Sequence, residues 1–312
     1  MLGWLRILLL TSLDPSICEL ISQVSIDRLA KHVKKIEGLR HGWGNYDILA
    51  EKADYIEDTF RSLKVTVENQ EVIFHGRAYR NIIATKKGRE SDKPWILLGA
   101  HYDAAWGSPG ADDNASGVAV LLEAAHVLNN TPFDRTIQFV AFTLEEPQPQ
   151  TIHFLIGSDS FAKEAGRQKK RYEAVLILES VGYTDTAKGS QFVPVFIRIP
   201  IPKKGDFLGI IANKRSKPIM EAFHDAASAY APELITVPYS VPLSGRLIPE
   251  TRFSDHAPFW DQGYPALMLT DTAMFRNPHY HTHRDRYETL DFTFMHNVTK
   301  AVLSAVAVFG NQ

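Results

Sequence analysis

Apolar segments of this chain repeatedly end in histidine or acidic side chains, and this pattern most limits the folds that the chain can adopt. The apolar run Trp95–Leu98 is followed by His101 and Asp103, and a second apolar run is followed by the pair Glu145 and Glu146. A buried core does not favour such charged groups, whereas a metal site requires them. Because open α/β sheets bind ligands beyond the carboxyl ends of their strands, we expect these side chains to meet at one edge.

Hydrophobic periodicity predicts strands that alternate with helices along most of the chain. The fold class predicted from this alternation is α/β, with a mixed, mostly parallel central sheet flanked by helices on both faces. Three long loops, which we expect to border a binding site, are predicted at Pro147–Ile156, Tyr183–Gly205 and Ile235–Thr251. The predicted strands are Val65–Phe74, Tyr79–Thr85, Trp95–Leu98, Thr136–Phe142, Ala174–Leu178 and Ala266–Leu269. The predicted helices are Ser25–Glu37, Tyr46–Leu63, Val118–Leu128, Lys217–Tyr230 and Phe294–Phe309.

Composition narrows the class of protein and its partners. The chain has 312 residues, of which 45% are hydrophobic, so it can bury a sizeable core. Its formal net charge of −2 and the lack of a basic stripe argue against a nucleic-acid partner. Cys18 is its one cysteine, which excludes an internal disulfide and leaves the redox compartment open.

The first 24 residues are predicted to be an N-terminal extension of uncertain role, and residues 25–312 a single domain. The extension contains a short apolar run, Ile7–Leu10, with one preceding positive charge at Arg6. This run has some character of a signal peptide but lacks a clear cleavage site. It is too short to span a membrane, so no stable membrane span is expected and a cytoplasmic or exported location stays open.

The residues alone favour a divalent metal site without proving it. One histidine with several carboxylates suits Zn²⁺, and the absence of an HExxH sequence excludes that helix-borne zinc site. Each motif also has an ordinary structural interpretation. His101 and Asp103 could belong to a polar loop, Glu145 and Glu146 to a solvated surface, and Glu179 could be a partnered carboxylate in the core.

A longer set of ordered motifs resembles a known family. The segments GAHYDA at 99–104, PGADDNASG at 109–117, LESVGY at 178–183, SDHAPFW at 254–260 and PHYHT at 278–282 occur in this order, with the glutamate pair between the second and the third. From about Ser25 to the C-terminus, the chain resembles the co-catalytic di-zinc exopeptidases of the bacterial leucyl aminopeptidase type, metallopeptidase family 28. No large additional insert is visible.

The resemblance implies two zinc ions per protomer and a specific set of ligands. Asp112 would bridge the two ions, and a cis peptide bond would join it to Asp113. The family usually has aspartate where this chain has Glu179, and glutamate is an accepted variant. The implied metal ligands are His101, Asp112, Glu146, Glu179 and His281.

The resemblance also implies a reaction and the residues that perform it. Zinc-dependent hydrolysis of an N-terminal peptide bond would use a metal-bridging hydroxide, with Glu145 as the general base and Asp103 behind His101. The expected substrates are peptides with a free N-terminus. Alternatives are a glutaminyl cyclase, which shares the fold and uses one zinc, and a non-catalytic receptor-like module.

Other residues stay ambiguous at the level of sequence. His279, His281 and His283 are equivalent by composition, and only the resemblance selects His281. His256 is interpreted as a supporting or packing residue, and Tyr280 as either an oxyanion donor or an ordinary loop residue. Four aromatic residues could form an apolar substrate pocket or belong to the core: Phe253, Phe259, Trp260 and Phe275.

Overall fold

The computed structural model describes residues 13–149, 151, 153–193 and 200–311. Within these residues, eight α-helices accompany one sheet. Ser25 caps helix α2, because its hydroxyl accepts a hydrogen bond from the Arg28 amide at 3.3 Å. The helices are α1 Pro15–Ser22, α2 Ile26–Ile36, α3 Tyr46–Arg61, α4 Gly117–Leu128, α5 Ile156–Arg167, α6 Lys217–Tyr230, α7 His256–Asp261 and α8 Phe292–Gly310.

One eight-stranded sheet carries the fold, in the order β1-β2-β4-β3-β5-β8-β6-β7. The four central strands β4, β3, β5 and β8 are parallel to one another, so their carboxyl ends share one edge. Strands β1 and β2 form an antiparallel hairpin at one side, and β6 runs antiparallel to β8 at the other. The strands are β1 Thr66–Phe74, β2 Arg77–Lys86, β3 Trp95–His101, β4 Ile137–Phe142, β5 Tyr172–Glu179, β6 Phe207–Asn213, β7 Ile235–Val241 and β8 Ala266–Thr270.

The two faces of the sheet bury separate apolar clusters. One cluster contains α4 and α8 packed on β3, and the other contains Phe161, Phe259 and Trp260 with the opposite face. Among the described residues, α8 is the one helix long and apolar enough to span a membrane, and most of it is buried in the core of this fold. The mixed, mostly parallel sheet covered on both faces confirms the predicted fold class.

The structure corrects several predicted element boundaries. The segment Ile235–Thr251, predicted as a loop, contains strand β7, and β6 was not predicted at all. His101 is the last residue of β3 rather than part of a following loop. The apolar run Ile7–Leu10 lies outside the described residues. Later in the same extension, α1 buries Ile17 and its neighbours against the rest of the fold.

Candidate metal centre

The edge formed by the parallel strands gathers most of the predicted site residues. His101 ends β3 and Glu179 ends β5, while Glu145 and Glu146 follow β4 after a two-residue turn. Asp113 reaches the same place from the irregular turn that leads into α4. The strand topology therefore explains why residues almost 80 positions apart in sequence, such as His101 and Glu179, lie next to each other.

Two groups of metal-ligating side chains lie side by side at this edge. In one group, the His101 Nε2 atom is 3.4 Å from Glu179 Oε2. In the other, the His281 Nε2 atom is 3.3 Å from Glu146 Oε2. Asp113 links them, since its Oδ1 is 3.2 Å from His101 Nε2 and its Oδ2 is 3.0 Å from His281 Nε2. A carboxylate that faces two ligand groups has the chemistry of a bridging ligand.

Asp112 does not occupy the linking position that was predicted for it. Its Oδ1 accepts a hydrogen bond from the Gly182 amide at 2.9 Å, and its Oδ2 accepts one from Asn277 Nδ2 at 2.7 Å. Both oxygens are therefore engaged away from the two histidines, and the neighbouring Asp113 faces them instead. The cis peptide bond was also predicted one residue too early, because it joins Asp113 to Asn114.

The predicted general base, Glu145, belongs to the first group together with His101 and Glu179. The Glu145 Oε2 atom is 3.8 Å from His101 Nε2, farther than the corresponding oxygens of Asp113 and Glu179. Asp103 holds the backbone of the glutamate pair, accepting the Glu145 amide at 3.0 Å and the Glu146 amide at 3.1 Å. Its Oδ1 is also 3.5 Å from His101 Nδ1, which is consistent with its predicted place behind that histidine.

Burial and mutual repulsion shift the acidity of the clustered groups. Burial raises the pKa of Glu145 well above its ordinary value, against the opposing influence of His101. Burial, together with the nearby Asp113 charge, raises the pKa of Glu146 to about 7. Burial disfavours charged His281, but hydrogen bonds to Asp113 and Glu146 outweigh it and raise its pKa to about 11. The cluster therefore retains protons that a bound cation would displace.

Buried polar atoms without partners provide a direct test of whether these residues suit a metal. Both ring nitrogens of His101, Asp113 Oδ1 and Glu146 Oε1 are buried and receive no hydrogen bond from the described residues. Buried polar groups are normally satisfied, so His101 Nε2 and Asp113 Oδ1, which lie 3.2 Å apart between the two groups, call for an additional partner. Imidazole nitrogens combined with carboxylate oxygens match the ligand preference of zinc. The residues present therefore fit zinc.

Backbone geometry around the ligands is unusual in three places. Leu144, Ser180 and His281 have φ values of 54°, 48° and 57°, a left-handed conformation that non-glycine residues seldom adopt. Leu144 precedes the glutamate pair, Ser180 follows Glu179, and His281 is itself in the second group. Such strain persists only where the surrounding structure enforces it, and it is concentrated at functional sites.

The roles of several supporting residues were not predicted from the sequence. Asp285 accepts the amides of Asp112 and Asp113, at 2.8 and 3.1 Å, and so fixes the turn that presents Asp113. Ser254 donates to Glu179 Oε2 at 2.7 Å. Asp255 is fully buried, and neither of its carboxylate oxygens receives a hydrogen bond from the described residues. No spacing or periodicity marks Asp285, whereas Ser254 and Asp255 begin the SDHAPFW motif, which assigned them no role.

The structure also shows where the histidines and aromatic residues that were ambiguous in the sequence lie. Of the three histidines near the C-terminal motif, His281 is the one that joins the described ligand groups. His256 is buried with its Nε2 atom 2.9 Å from the Thr251 carbonyl, in agreement with a supporting role. Phe253 and Phe275 line a cavity that also touches Glu179. In contrast, Phe259 and Trp260 belong to the core.

A family model described as Peptidase family M28 matches residues 81–306, which is more than half of the chain. The matched segment contains all of the clustered residues. The chain belongs to peptidase family M28. This membership confirms the resemblance seen in the motifs and establishes the protein as a hydrolase of the peptidase class.

Curated proteins align with this chain over much of its length. The uncharacterized protein YfbL of Escherichia coli is 35% identical over 269 residues, covering 83% of this chain and 80% of YfbL. A probable leucine aminopeptidase of Arthroderma otae is 28% identical over 237 residues, covering 72% of this chain and 55% of that protein. The chain thus spans most of one relative and about half of the other.

Solved structures share the M28 fold at low sequence identity. The LapA aminopeptidase of Legionella pneumophila superposes with a TM-score of 0.74 at 18% identity, covering 95% of this chain and 75% of LapA. A glutaminyl cyclase of Bacteroides thetaiotaomicron superposes with a TM-score of 0.68 at 18% identity, covering 93% and 99% of the two chains. At these identities the similarity establishes the fold, which both kinds of enzyme share.

Proposed function

We propose that this M28 peptidase is a zinc-dependent aminopeptidase that holds two zinc ions. His101, Glu179 and Asp113 would hold one ion. Glu146, His281 and Asp113 would hold the other. The observation that carries the proposal is the position of the Asp113 carboxylate, whose two oxygens each lie within 3.2 Å of a different histidine. Two metals that share one carboxylate are suited to hydrolysis of an amide bond.

When bound, the zinc ions supply Lewis acidity, which polarises a carbonyl group and lowers the pKa of water. The chain contributes the proton transfer. Glu145 accepts a proton from the attacking water and delivers it to the leaving amine. Its carboxylate is buried beside His101, and its pKa is raised by that burial, which moves the group towards the range in which a general base works best.

The neighbouring residues position this base. Asp103 accepts both amides of the glutamate pair, so the two side chains diverge from a fixed turn. Glu145 is thereby directed to the His101 group and Glu146 to the His281 group. A base held in place in this way needs little reorganisation during the reaction.

The cavity beside Glu179 accounts for action at the N-terminus of a peptide. The free amine of the substrate binds next to the Glu179 carboxylate, which has the opposite charge. The side chain of the first residue then enters the cavity that Glu179, Phe253 and Phe275 line. Binding of the charged amine at this position selects exopeptidase substrates over internal peptide bonds.

Turnover of aminoacyl-p-nitroanilides by purified protein, measured with and without a chelator, tests the proposal. The zinc-loaded protein is expected to release p-nitroaniline, to lose the activity on chelation and to recover it with zinc. Blocking the substrate amine by acetylation is expected to abolish turnover. Cyclisation of an N-terminal glutamine, without release of aminoacyl products, would replace the proposal with the glutaminyl cyclase alternative.

A further inference from the structure

The cavity beside Glu179 has walls of two chemical kinds. It encloses about 90 Å³, and most of its wall comes from apolar side chains such as Ile211, Met268 and Phe275. Glu250 also forms part of the wall and, apart from the metal-cluster residue Glu179, is the one acidic residue among the described residues that line it. Glu250 is not one of the proposed metal ligands and has no role in the proposed mechanism.

The Glu250 carboxylate has no compensating partner in the described part of the chain. Its Oε2 atom is buried and accepts no hydrogen bond from the described residues. Arg252, two residues away, is directed elsewhere, donating to Asp261 Oδ2 at 2.7 Å and to the Ser244 carbonyl at 2.9 Å. A buried carboxylate oxygen without a partner is costly, so a cation that entered the cavity would be stabilised there.

The backbone that carries Glu250 is anchored on both sides. Glu250 lies in the short turn Pro249–Arg252, where the Thr251 hydroxyl donates to the Ile248 carbonyl at 2.7 Å. The Thr251 carbonyl is in turn 2.9 Å from His256 Nε2. The position of Glu250 is therefore a fixed feature of the cavity wall.

We infer that this cavity selects substrates whose N-terminal residue is lysine or arginine, with Glu250 as the residue that determines this specificity. The inference rests on the proposed aminopeptidase function. The aliphatic stem of a long basic side chain packs on the apolar wall, and its charged end pairs with Glu250. An N-terminal leucine would pack on the same apolar wall but would leave the Glu250 carboxylate unpaired. An acidic group in a side-chain pocket also selects basic residues in other peptidases.

The ratio of kcat/KM for lysyl- over leucyl-p-nitroanilide tests this assignment. Glu250→Gln keeps the size of the side chain and removes its charge. A hydrogen bond to a charged group is worth enough that this ratio is expected to fall about 10–100-fold, with a parallel fall for the arginyl substrate. The matched control is Glu221→Gln on α6, an exposed glutamate 3.6 Å from Lys217, which should leave the ratio unchanged.

Charge reversal gives an independent measurement. Glu250→Arg is expected to turn the preference against lysyl and arginyl substrates and to improve turnover of glutamyl-p-nitroanilide relative to wild type. Wild-type preference for the leucyl substrate, with a ratio that neither variant changes, would overturn the role of Glu250 and leave the aminopeptidase function intact. Zinc-loaded wild type that cleaves none of these anilides would instead contradict the aminopeptidase function, and this inference with it.

Discussion

Glu145 and Glu146 are neighbours in the chain, yet their side chains belong to different ligand groups. Glu145 lies with His101 and Glu179, whereas Glu146 lies with Asp113 and His281. The two side chains diverge because Asp103 accepts hydrogen bonds from both backbone amides and so fixes the turn that carries them. Two adjacent carboxylates can therefore perform different tasks, one in proton transfer and one in metal binding.

Replacement of each glutamate by glutamine is expected to cause a different defect. Glu145→Gln cannot accept a proton, so kcat should fall about 10²–10⁴-fold while zinc content stays near that of wild type. Glu146→Gln removes a charged ligand, so zinc occupancy and rate should fall together, and excess zinc should partly restore activity. Elemental analysis alongside kinetics distinguishes the two. Loss of zinc from the first variant but not from the second would reverse the assignment.

Asp112 and Asp113 offer a second matched pair. Asp113→Asn removes the charge that lies between the two histidines and is expected to abolish most zinc binding and activity. Asp112→Asn alters a buried group that accepts hydrogen bonds from Gly182 and Asn277. It should retain zinc but lower the free energy of unfolding by about 1–3 kcal/mol. Denaturant unfolding and metal analysis measure both effects, and zinc loss confined to Asp112→Asn would disagree with the geometry.

Asp112 and Asp113 also show which feature of the site could not be predicted from the sequence. The motif predicts that an acidic residue of the 109–117 segment faces the metals, and the structure brings that segment to the site. Which of two consecutive aspartates faces inward depends on the backbone of an irregular turn, in which Asp113 and Asn114 have non-helical dihedral angles. That geometry depends on distant partners, including Asp285, and is not encoded in local spacing.

Strands and helices could be predicted from the sequence where their apolar residues form a clear run or a clear periodic pattern. Strands β3, β4, β5 and β8 are almost completely buried, so each appears in the sequence as a short apolar run that prediction located to within a few residues. Strand β7 is half-buried along most of its length and contains Pro238, so its sequence resembles a loop. Helix α7 has six residues, too few for a periodic pattern.

The turn before α4 depends on one glycine. Gly110 has φ of 59°, and a Cβ atom at this position would collide with the backbone carbonyl of Asp113 and with Ala104. Gly110→Ala is therefore expected to displace the Asp113 turn and reduce zinc affinity at least 10-fold, as measured by competition with a chromogenic chelator. Gly76→Ala is the matched control, because Gly76 also has positive φ, at 76°, but has open space around it.

Gly76→Ala should lose about 1 kcal/mol of stability, the cost of a left-handed conformation for a residue with a side chain. Gly110→Ala should lose more than this, because its Cβ atom also collides with the backbone. Gly76→Ala should keep the zinc affinity of the wild-type protein. Equal zinc affinity in the two variants would show that the turn tolerates the collision and that Gly110 has no specific role in presenting Asp113.

At the scale of the whole molecule, a nearly neutral chain concentrates negative charge in one buried place. The net charge is −2, but Asp103, Asp113, Glu145, Glu146 and Glu179 are all buried near two histidines. Without cations, protons provide the compensation. The pKa of Glu146 is raised to about 7 by burial, and that of His281 to about 11 by its two carboxylate partners despite burial.

Zinc binding is therefore expected to release protons and to weaken as pH falls. A raised pKa means that the metal-free site is protonated at pH values where the free side chain would have lost its proton. Zinc must displace these protons, so at pH 7 binding should release about two protons, chiefly from the two histidines. Affinity should decrease as pH falls through 7, where Glu146 also becomes protonated. Calorimetry in buffers of different ionisation enthalpy measures the number of protons released when zinc binds. Release of no protons would contradict the prediction that the metal-free site is protonated.

The central claim is that Asp113 joins two zinc ions at the carboxyl edge of the sheet. A crystal structure of the zinc-loaded protein, with anomalous difference maps recorded at the zinc edge, tests it most directly. We expect two peaks about 3.5–4 Å apart, one on each side of the Asp113 carboxylate. The peak beside His101 and Glu179 and the peak beside Glu146 and His281 should both be occupied. A single peak at full zinc loading, or peaks in contact with Asp112 rather than Asp113, would contradict it.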